Sequence, residues 1–458
     1  MSLPTITLDT QYVFDSRLGA HALTREKLAA LRPRLETALR EIAEERRAGQ
    51  HRFREMPLER PQVAEIKALA ERLRPTADNL IVLGIGGSAL GNIALQTALR
   101  SPTYNLLPRE ARGGPRLFVL DNVDPVYCKS VFDLCGADWS RTVVNVISKS
   151  GETAETSAQF LIVRDLMIKA LGEQGARERI IVTTDAAKGT MRDIVKREGY
   201  TSLIVPEGVG GRFSVLTAVG LLSAAMCGID IDALLDGAAS MDPIVSEGNP
   251  DTNPAAQLAA TYYLYEQSGK PMHVMMPYSQ QLRDLADWYR QLYAESLGKI
   301  RKRDGANVGP TPLKALGATD QHSQVQLYRE GPNDKVFTFL EVGTFETDVR
   351  IPQAFEGVEA MQYLGRSENG TLGSLLNIEK KATQLAMLVS QRPSLTIHFP
   401  NVSPHTVGQF IYLFESMIPI MGKLYEVDPY DQPAVELGKV LTFHFMGRRG
   451  YEKSPMPS

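Results

Sequence analysis

The sequence predicts an α/β protein made of two doubly wound units with mainly parallel sheets, closed by a C-terminal helical arm. Three observations carry that expectation. Short apolar, β-branched runs stop at a glycine, serine or aspartate and lead into helical stretches, the alternation of a parallel sheet covered on both faces. The alternation starts near residue 79 and continues, weaker, from about residue 312. The chain's 458 residues exceed one ordinary core and suit two or three packed domains.

Taken in order, residues 22–50 form a long charged helix with apolar positions at helical spacing and Gly49 near its end. A second amphipathic helix covers 61–73. Asn79–Leu83 is the first strand, stopping at a glycine cluster, and Ala89–Leu99 is helical. Arg116–Leu120 closes on Asp121. Thr142–Ile147 closes on Ser148-Lys149-Ser150-Gly151, with a helix over 154–170. Arg179–Thr183 and Ser202–Val205 are further strands. These define a first α/β domain at 55–235, preceded by a helical segment at 1–54. Residues 206–300 are mostly helical, with one strand at His273–Met276. Strands at Val325–Leu327, Val336–Glu341 and Leu395–Phe399, with helices over 376–390 and 404–424, make a second domain at 240–425. The remainder, 426–458, is a helical arm whose tail, Glu452–Ser458, is expected to fray.

Composition narrows the function. Hydrophobic residues are 43% and charged residues 22%, an ordinary globular balance. Lys plus Arg is 50 against 53 for Asp plus Glu, a net charge of −3. That excludes a global basic surface for nucleic acid or anionic membrane, so any anionic ligand needs a local pocket. Cys128, Cys135 and Cys227 form no paired framework and read as buried structural thiols in a reducing compartment. The N-terminus lacks the pattern of a signal peptide. Val215–Met226, among the longest apolar stretches, is too short to span a bilayer. The cytoplasm is the expected location.

The chemistry-bearing residues fall at loops between strands and helices. Gly84-Ile-Gly86-Gly87-Ser88 permits a tight turn, and the amides of the next helix favour an anion. Through Ala89 it also fits a dinucleotide fingerprint, but Asp121 lies well beyond the ~20 residues that fingerprint expects. A glycine turn used only for packing is the bland alternative. Ser148-Lys149-Ser150-Gly151-Glu152-Thr153 offers three hydroxyls, a lysine and a glycine ahead of a helix, the donor set a phosphate monoester wants. Its bland alternative is a serine that merely caps the helix. In Gly208-Val-Gly-Gly211-Arg212-Phe-Ser214, an arginine follows three glycines, suited to stabilising a developing negative oxygen; a surface ion pair is the alternative. Gln291 and Glu295 stand four apart on a helix ending near Gly298, and a half-buried Glu there is a candidate general base. By composition alone a solvated Glu is the commoner case. Of seven histidines, His322 has the most polar, loop-like setting for acid–base work, while His273 reads as a core residue. No pair of histidines has metal-ligand spacing. Lys439, in the block Asp431-Gln432 to Lys439, reads by itself as an ordinary solvated lysine.

Together GIGGSALG, SKSGET, GVGGRFSV, YAESLGK, TDQHSQ and DQPAVELGK resemble, in order and over about residues 80–445, the motifs of the glucose-6-phosphate isomerases. The SKSGET loop is similar to bacterial members rather than to the animal form SKTFTT. The resemblance implies two sugar-isomerase-type domains and reversible conversion of glucose 6-phosphate to fructose 6-phosphate through a cis-enediol, in glycolysis and gluconeogenesis. It implies Glu295 as the base, Arg212 as stabiliser of the enediolate, and His322 with Lys439 in ring opening. Ser148, Lys149, Ser150, Thr153 and Gln432 would hold the phosphate, and Gly87, Ser88, Gly211 and Gln291 would line the sugar site. The resemblance further implies a homodimer whose active-site histidine comes from the partner, and no metal or organic cofactor. Two other classes stay open: a non-catalytic sugar-phosphate-binding regulator of the same fold, which could dispense with Glu295 and Lys439, and a dinucleotide-dependent oxidoreductase.

Overall fold

A computed structural model describes residues 4–366 and 370–453. Of the tail expected to fray, residues 454–458 lie outside the described residues. Ten strands of three or more residues are found among those described: β1 (Thr7–Asp9), β2 (Asn79–Leu83), β3 (Arg116–Leu120), β4 (Thr142–Ile147), β5 (Ile180–Thr184), β6 (Thr201–Ile204), β7 (Met272–Pro277), β8 (Thr311–Lys314), β9 (Lys335–Val342) and β10 (Ser394–Phe399). They form two five-stranded sheets. The first has the order β3-β2-β4-β5-β6 and is parallel throughout. The second has the order β1-β10-β9-β7-β8, with β1 antiparallel to β10 and the other pairs parallel. The fold is α/β with mainly parallel sheets, as the alternation predicts.

Burial explains why these runs are strands. Every residue of β2, β4 and β5 is buried, as it must be where helices cover both faces of a parallel sheet. The edge strands β3 and β6 are only partly buried. Three expectations need correction. Val325–Leu327 is not a strand but the start of a helix, Val325–Glu330. Val325 and Tyr328 share a helical face there, and the Tyr328 ring packs 4.9 Å from that of Phe337. The N-terminal segment is not wholly helical, since Thr7–Asp9 adds an edge strand to the second sheet. Thr311–Lys314, unrecognised in the sequence, is the opposite edge, where Pro312 lacks only a donor that an edge can spare. The helix expected over 154–170 extends from Ala154 to Arg179 across a break at Gly172. The three cysteines are buried and unpaired.

The helix Pro404–Tyr425 fixes the relation between the fold and the site. It opens with a capping box from Ser403 to Thr406 and is buried along nearly its whole length. It crosses the helix Ile231–Val245 at two glycines. A Cβ on Gly237 would lie 1.9 Å from the His405 carbonyl oxygen, and one on Gly408 would lie 2.0 Å from that of Leu234. Through Phe410 and Phe414 it meets Trp288 and Tyr289, with ring centroids 6.3 and 5.3 Å apart, on the helix Arg283–Leu297. That last helix carries Glu295.

Glu415 sits on the same central helix with no exposed surface, and neither carboxyl oxygen has a hydrogen-bond partner among the described residues. Burial pushes its pKa well above the ordinary carboxylate range, so the folded protein holds it protonated. The unfolded chain releases that proton at the ordinary value, so this group removes stability progressively as pH rises above it. The thermal midpoint of Glu415→Gln should therefore gain on the wild type's between about pH 5 and about pH 8. A difference between the two midpoints that does not shift in favour of Glu415→Gln as pH rises would contradict a neutral buried acid.

Candidate active site

Three loops leave the carboxyl ends of β2, β4 and β6, the end of a parallel sheet where ligands bind. The first two come from neighbouring strands. After β2, Gly86–Ser88 forms a single 3₁₀ turn before the helix Leu90–Leu99. A Cβ on Gly87 would lie 2.1 Å from the Gly211 carbonyl carbon and 2.6 Å from the Arg212 amide nitrogen. The backbones of the β2 and β6 loops therefore touch, and only glycine fits at Gly87. Gly86, at φ 56°, brings the same turn against Gln291, whose Nε2 would be 2.8 Å from a Cβ placed there. Ser88 is partly exposed at the end of this turn.

The loop after β4 is organised by its own hydroxyls. The Gly151 amide donates to Ser148 Oγ at 3.0 Å, and the Glu152 amide donates to Ser150 Oγ at 3.1 Å. Each hydroxyl keeps its own proton to donate outward. Neither serine caps the next helix, because the N-cap residue is Thr153, whose side chain makes no capping bond. Lys149 Nζ donates to the Val209 carbonyl at 3.2 Å and so ties this loop to the one after β6. Gly151 adopts φ 76°, and a Cβ there would lie 2.4 Å from the Met191 amide. The result is a compact turn of hydroxyls and amides at a helix N-terminus, which favours an anion.

The centre of the site is Arg212, whose side chain is 3% exposed. Its Nε donates to Ser296 Oγ at 2.8 Å. Nη1 donates to Glu295 Oε2 at 3.1 Å and to Gln432 Oε1 at 3.0 Å. Nη2 donates to the carbonyls of Pro429 at 2.6 Å and Asp431 at 3.0 Å. Desolvation lowers the guanidinium pKa, and the Glu295 carboxylate opposes that shift. An arginine remains a cation under any working condition. Glu295 is itself held from the other side, as Gln291 Nε2 donates to its Oε1 at 3.2 Å. Its side chain is 37% exposed, open enough for a substrate to reach. Gly86, Gly87, Gly211, Arg212, Gln291, Glu295 and Gln432 are thus one contiguous constellation.

Two other sequence candidates are not part of it within this chain. His322 closes a 3₁₀ turn, Thr319–His322, and is exposed. Lys439 is exposed on the helix Glu436–Phe445, where it pairs with Glu436 at 2.6 Å. Among the described residues neither makes a hydrogen bond or ion pair to Arg212, Glu295 or the 148–153 loop.

The phosphoglucose isomerase family profile matches residues 70–449. The glucose-6-phosphate isomerase of Carboxydothermus hydrogenoformans is 43% identical over 451 residues, spanning 98% of this chain and 96% of that protein. That of Rubrobacter xylanophilus is 44% identical over 448 residues, spanning 97% of this chain and 99% of that protein. The chain belongs to the phosphoglucose isomerase family. Among solved structures, a hypothetical protein from Thermus thermophilus superposes with a TM-score of 0.85 at 36% identity, covering 96% of this chain and 100% of that one. A glucose-6-phosphate isomerase from Chlamydia trachomatis shares the fold, with a TM-score of 0.69 at 23% identity over 84% of this chain and 73% of that one.

The family motifs contain contributors that residue-by-residue reading misses. Ser296 and Lys299 stand in the YAESLGK block beside Glu295. Ser296 orients Arg212, and Lys299, with its side chain 8% exposed, pairs with Asp431 at 2.7 Å. The spacing of that block around a buried helix end was the available signal. The carbonyls of Pro429 and Asp431 left none, because backbone acceptors have no sequence signature. No helix among the described residues is long and apolar enough to cross a membrane, and none of their His, Cys, Asp or Glu side chains form a group of three placed to hold a metal ion.

With Gly87 this close to Gly211, a methyl group at that position overpacks the contact. Gly87→Ala should lose about 1–3 kcal/mol of unfolding free energy, read as a lower urea midpoint. An unchanged midpoint would contradict the contact.

Proposed function

We propose that this chain interconverts glucose 6-phosphate and fructose 6-phosphate by proton transfer through a cis-enediol, with Glu295 as the base. The observation that carries the reading is a half-exposed carboxylate in contact with a buried guanidinium, beside a hydroxyl-rich loop suited to phosphate. The two relatives at 43% and 44% identity, both named glucose-6-phosphate isomerase, support it.

In this reading, Ser148, Ser150, Thr153, Lys149 and Gln432 hold the phosphate, which takes no part in the bond changes. Binding energy from that remote group orients the sugar carbons against Glu295. Gly87, Ser88, Gly211 and Gln291 line the opened sugar. Glu295 removes the proton from C2 as the C1 carbonyl becomes the enediolate oxygen. Arg212 faces the negative charge that develops, and its fixed position means little reorganisation at that moment. The proton then returns to C1 while the proton of the C2 hydroxyl passes to the oxygen on C1, which leaves a hydroxyl at C1 and the ketone at C2. The reverse sequence converts the ketose.

Ring opening falls to His322 and Lys439. Lys314, at the end of β8, forms an ion pair with Asp287, and Asp287 lies about 12 Å along the helix from Glu295 at 1.5 Å per residue. His322 follows β8 on the turn Thr319–His322, and among the described residues it makes no hydrogen bond or ion pair to Arg212 or Glu295. This separation supports a homodimer in which the histidine of each site is supplied by a second copy. The arm helix Glu436–Phe445 buries none of its residues and is the element that brings Lys439 to the sugar. The enzyme then acts in the cytoplasm, in glycolysis and gluconeogenesis, with no metal or organic cofactor.

Purified protein should convert glucose 6-phosphate to fructose 6-phosphate equally well with and without EDTA. Glu295→Gln should retain the fold by circular dichroism and lose about 10²–10⁴-fold in kcat. Wild-type turnover in that variant would remove Glu295 from the mechanism.

A further inference from the structure

Arg212 takes three of its acceptors from one short stretch, the carbonyls of Pro429 and Asp431 and the side chain of Gln432. What holds that stretch in place lies on its other side. Tyr430, between the two carbonyls in sequence, turns its ring onto Phe213 and Phe53, with centroids 5.5 and 6.3 Å away. Its hydroxyl bonds His51 Nδ1. The His51 side chain is 2% exposed, and its Nε2 meets Glu45 Oε2 at 2.9 Å. Glu45 in turn pairs with Lys423 of the central helix.

Donor logic fixes the proton positions. An ionised carboxylate only accepts, so Nε2–H of a neutral imidazole donates to Glu45, and Nδ1 accepts from the Tyr430 hydroxyl. Desolvation lowers the His51 pKa against the pull of Glu45, consistent with that neutral form. The His51 backbone stands at φ 56°, ψ 38°, an uncommon conformation for a residue other than glycine. A cavity of about 800 Å³, lined by His51, Glu45, Lys423 and Tyr430 among others, opens beside this clasp. On the cavity side the hydroxyl bond to His51 restrains the tyrosine, and on the other its ring packs on Phe213 and Phe53.

We propose that Tyr430, clasped by His51, is a positioning residue that fixes the 429–432 stretch, and through it the reacting face of Arg212. This rests on the isomerase reading above and adds to it a tether that touches no substrate. Lys299, paired with Asp431, holds the same stretch from its other end.

The test compares four variants in glucose 6-phosphate and fructose 6-phosphate turnover. Tyr430→Phe keeps the ring and should lower kcat about tenfold, a larger change than in KM, since Gln432 is one phosphate contact among several and the 148–153 loop is untouched. His51→Asn places an amide where Nδ1 sits and should stay within about threefold of the wild-type kcat. His51→Gln places its amide where Nε2 sits and should lose as much as Tyr430→Phe. Combining His51→Gln with Tyr430→Phe should lower kcat no further than either alone, because both remove one interaction. Wild-type kcat in Tyr430→Phe would overturn the proposal. So would equal kcat losses in His51→Asn and His51→Gln that follow their losses of thermal stability, the pattern of a merely structural bond. An inactive wild-type protein would instead defeat the isomerase reading, and this tether with it.

Discussion

A guanidinium taken out of water must find an acceptor for its N–H groups, and Arg212 finds its acceptors on segments far apart in sequence. Ser296 and Glu295 come from the end of one helix, and residues 429–432 come from the stretch after the central helix. An unpartnered charge at this depth would cost several kcal/mol, so the segments are held to a common geometry by the need to satisfy it. The same geometry puts the one partly exposed carboxylate of the cluster against the cation. Structure and chemistry meet in that requirement. The loop after β2 is drawn in as well, because Gly87 lies against the backbone that carries Arg212.

The rest of the fold serves to present this cluster. Parallel strands buried on both faces put the β2 and β4 loops side by side, one lining the cluster and the other offering hydroxyls to an anion. The central helix Pro404–Tyr425 packs on the helix of Glu295 and, at its end, leads into the stretch that clasps Arg212. A protein with net charge −3 can therefore receive an anionic ligand, because the binding field is local: amides, hydroxyls, Lys149 and one buried arginine.

Parts of this were legible in the sequence because a physical pattern repeats there. β2, β3 and β4 show as mainly apolar runs with sharp glycine, serine or aspartate ends, since strands covered by helices bury most of their side chains. β1 and β8 do not show, because three or four residues at a sheet edge need neither alternation nor sustained hydrophobicity. Val325–Glu330 misleads for a similar reason: a three-residue apolar run has too little length to reveal its period. In the site, Arg212, Gln291 and Glu295 announce themselves through glycine context and helical spacing, Gln432 only through the family motif that contains it, and the four form one chain of contacts. Carbonyl acceptors, the His51–Tyr430 bond and Lys299–Asp431 link residues more than a hundred positions apart or use the backbone alone, so no local pattern encodes them. His322 and Lys439 stand apart from the cluster in this chain, one on the turn Thr319–His322 and the other on the exposed helix Glu436–Phe445.

The central claim is that the buried Arg212 cation, held where it is, stabilises the charge created when a proton leaves carbon. The most direct measurement follows deuterium uptake at C2 of glucose 6-phosphate in heavy water, by NMR, for wild type and Arg212→Lys. A lysine cannot reproduce the forked donors that five acceptors demand. The account predicts label in the wild-type sugar together with ketose product, and both rates lower by about 10²-fold or more in the variant. Label exchange at the wild-type rate in Arg212→Lys would contradict it.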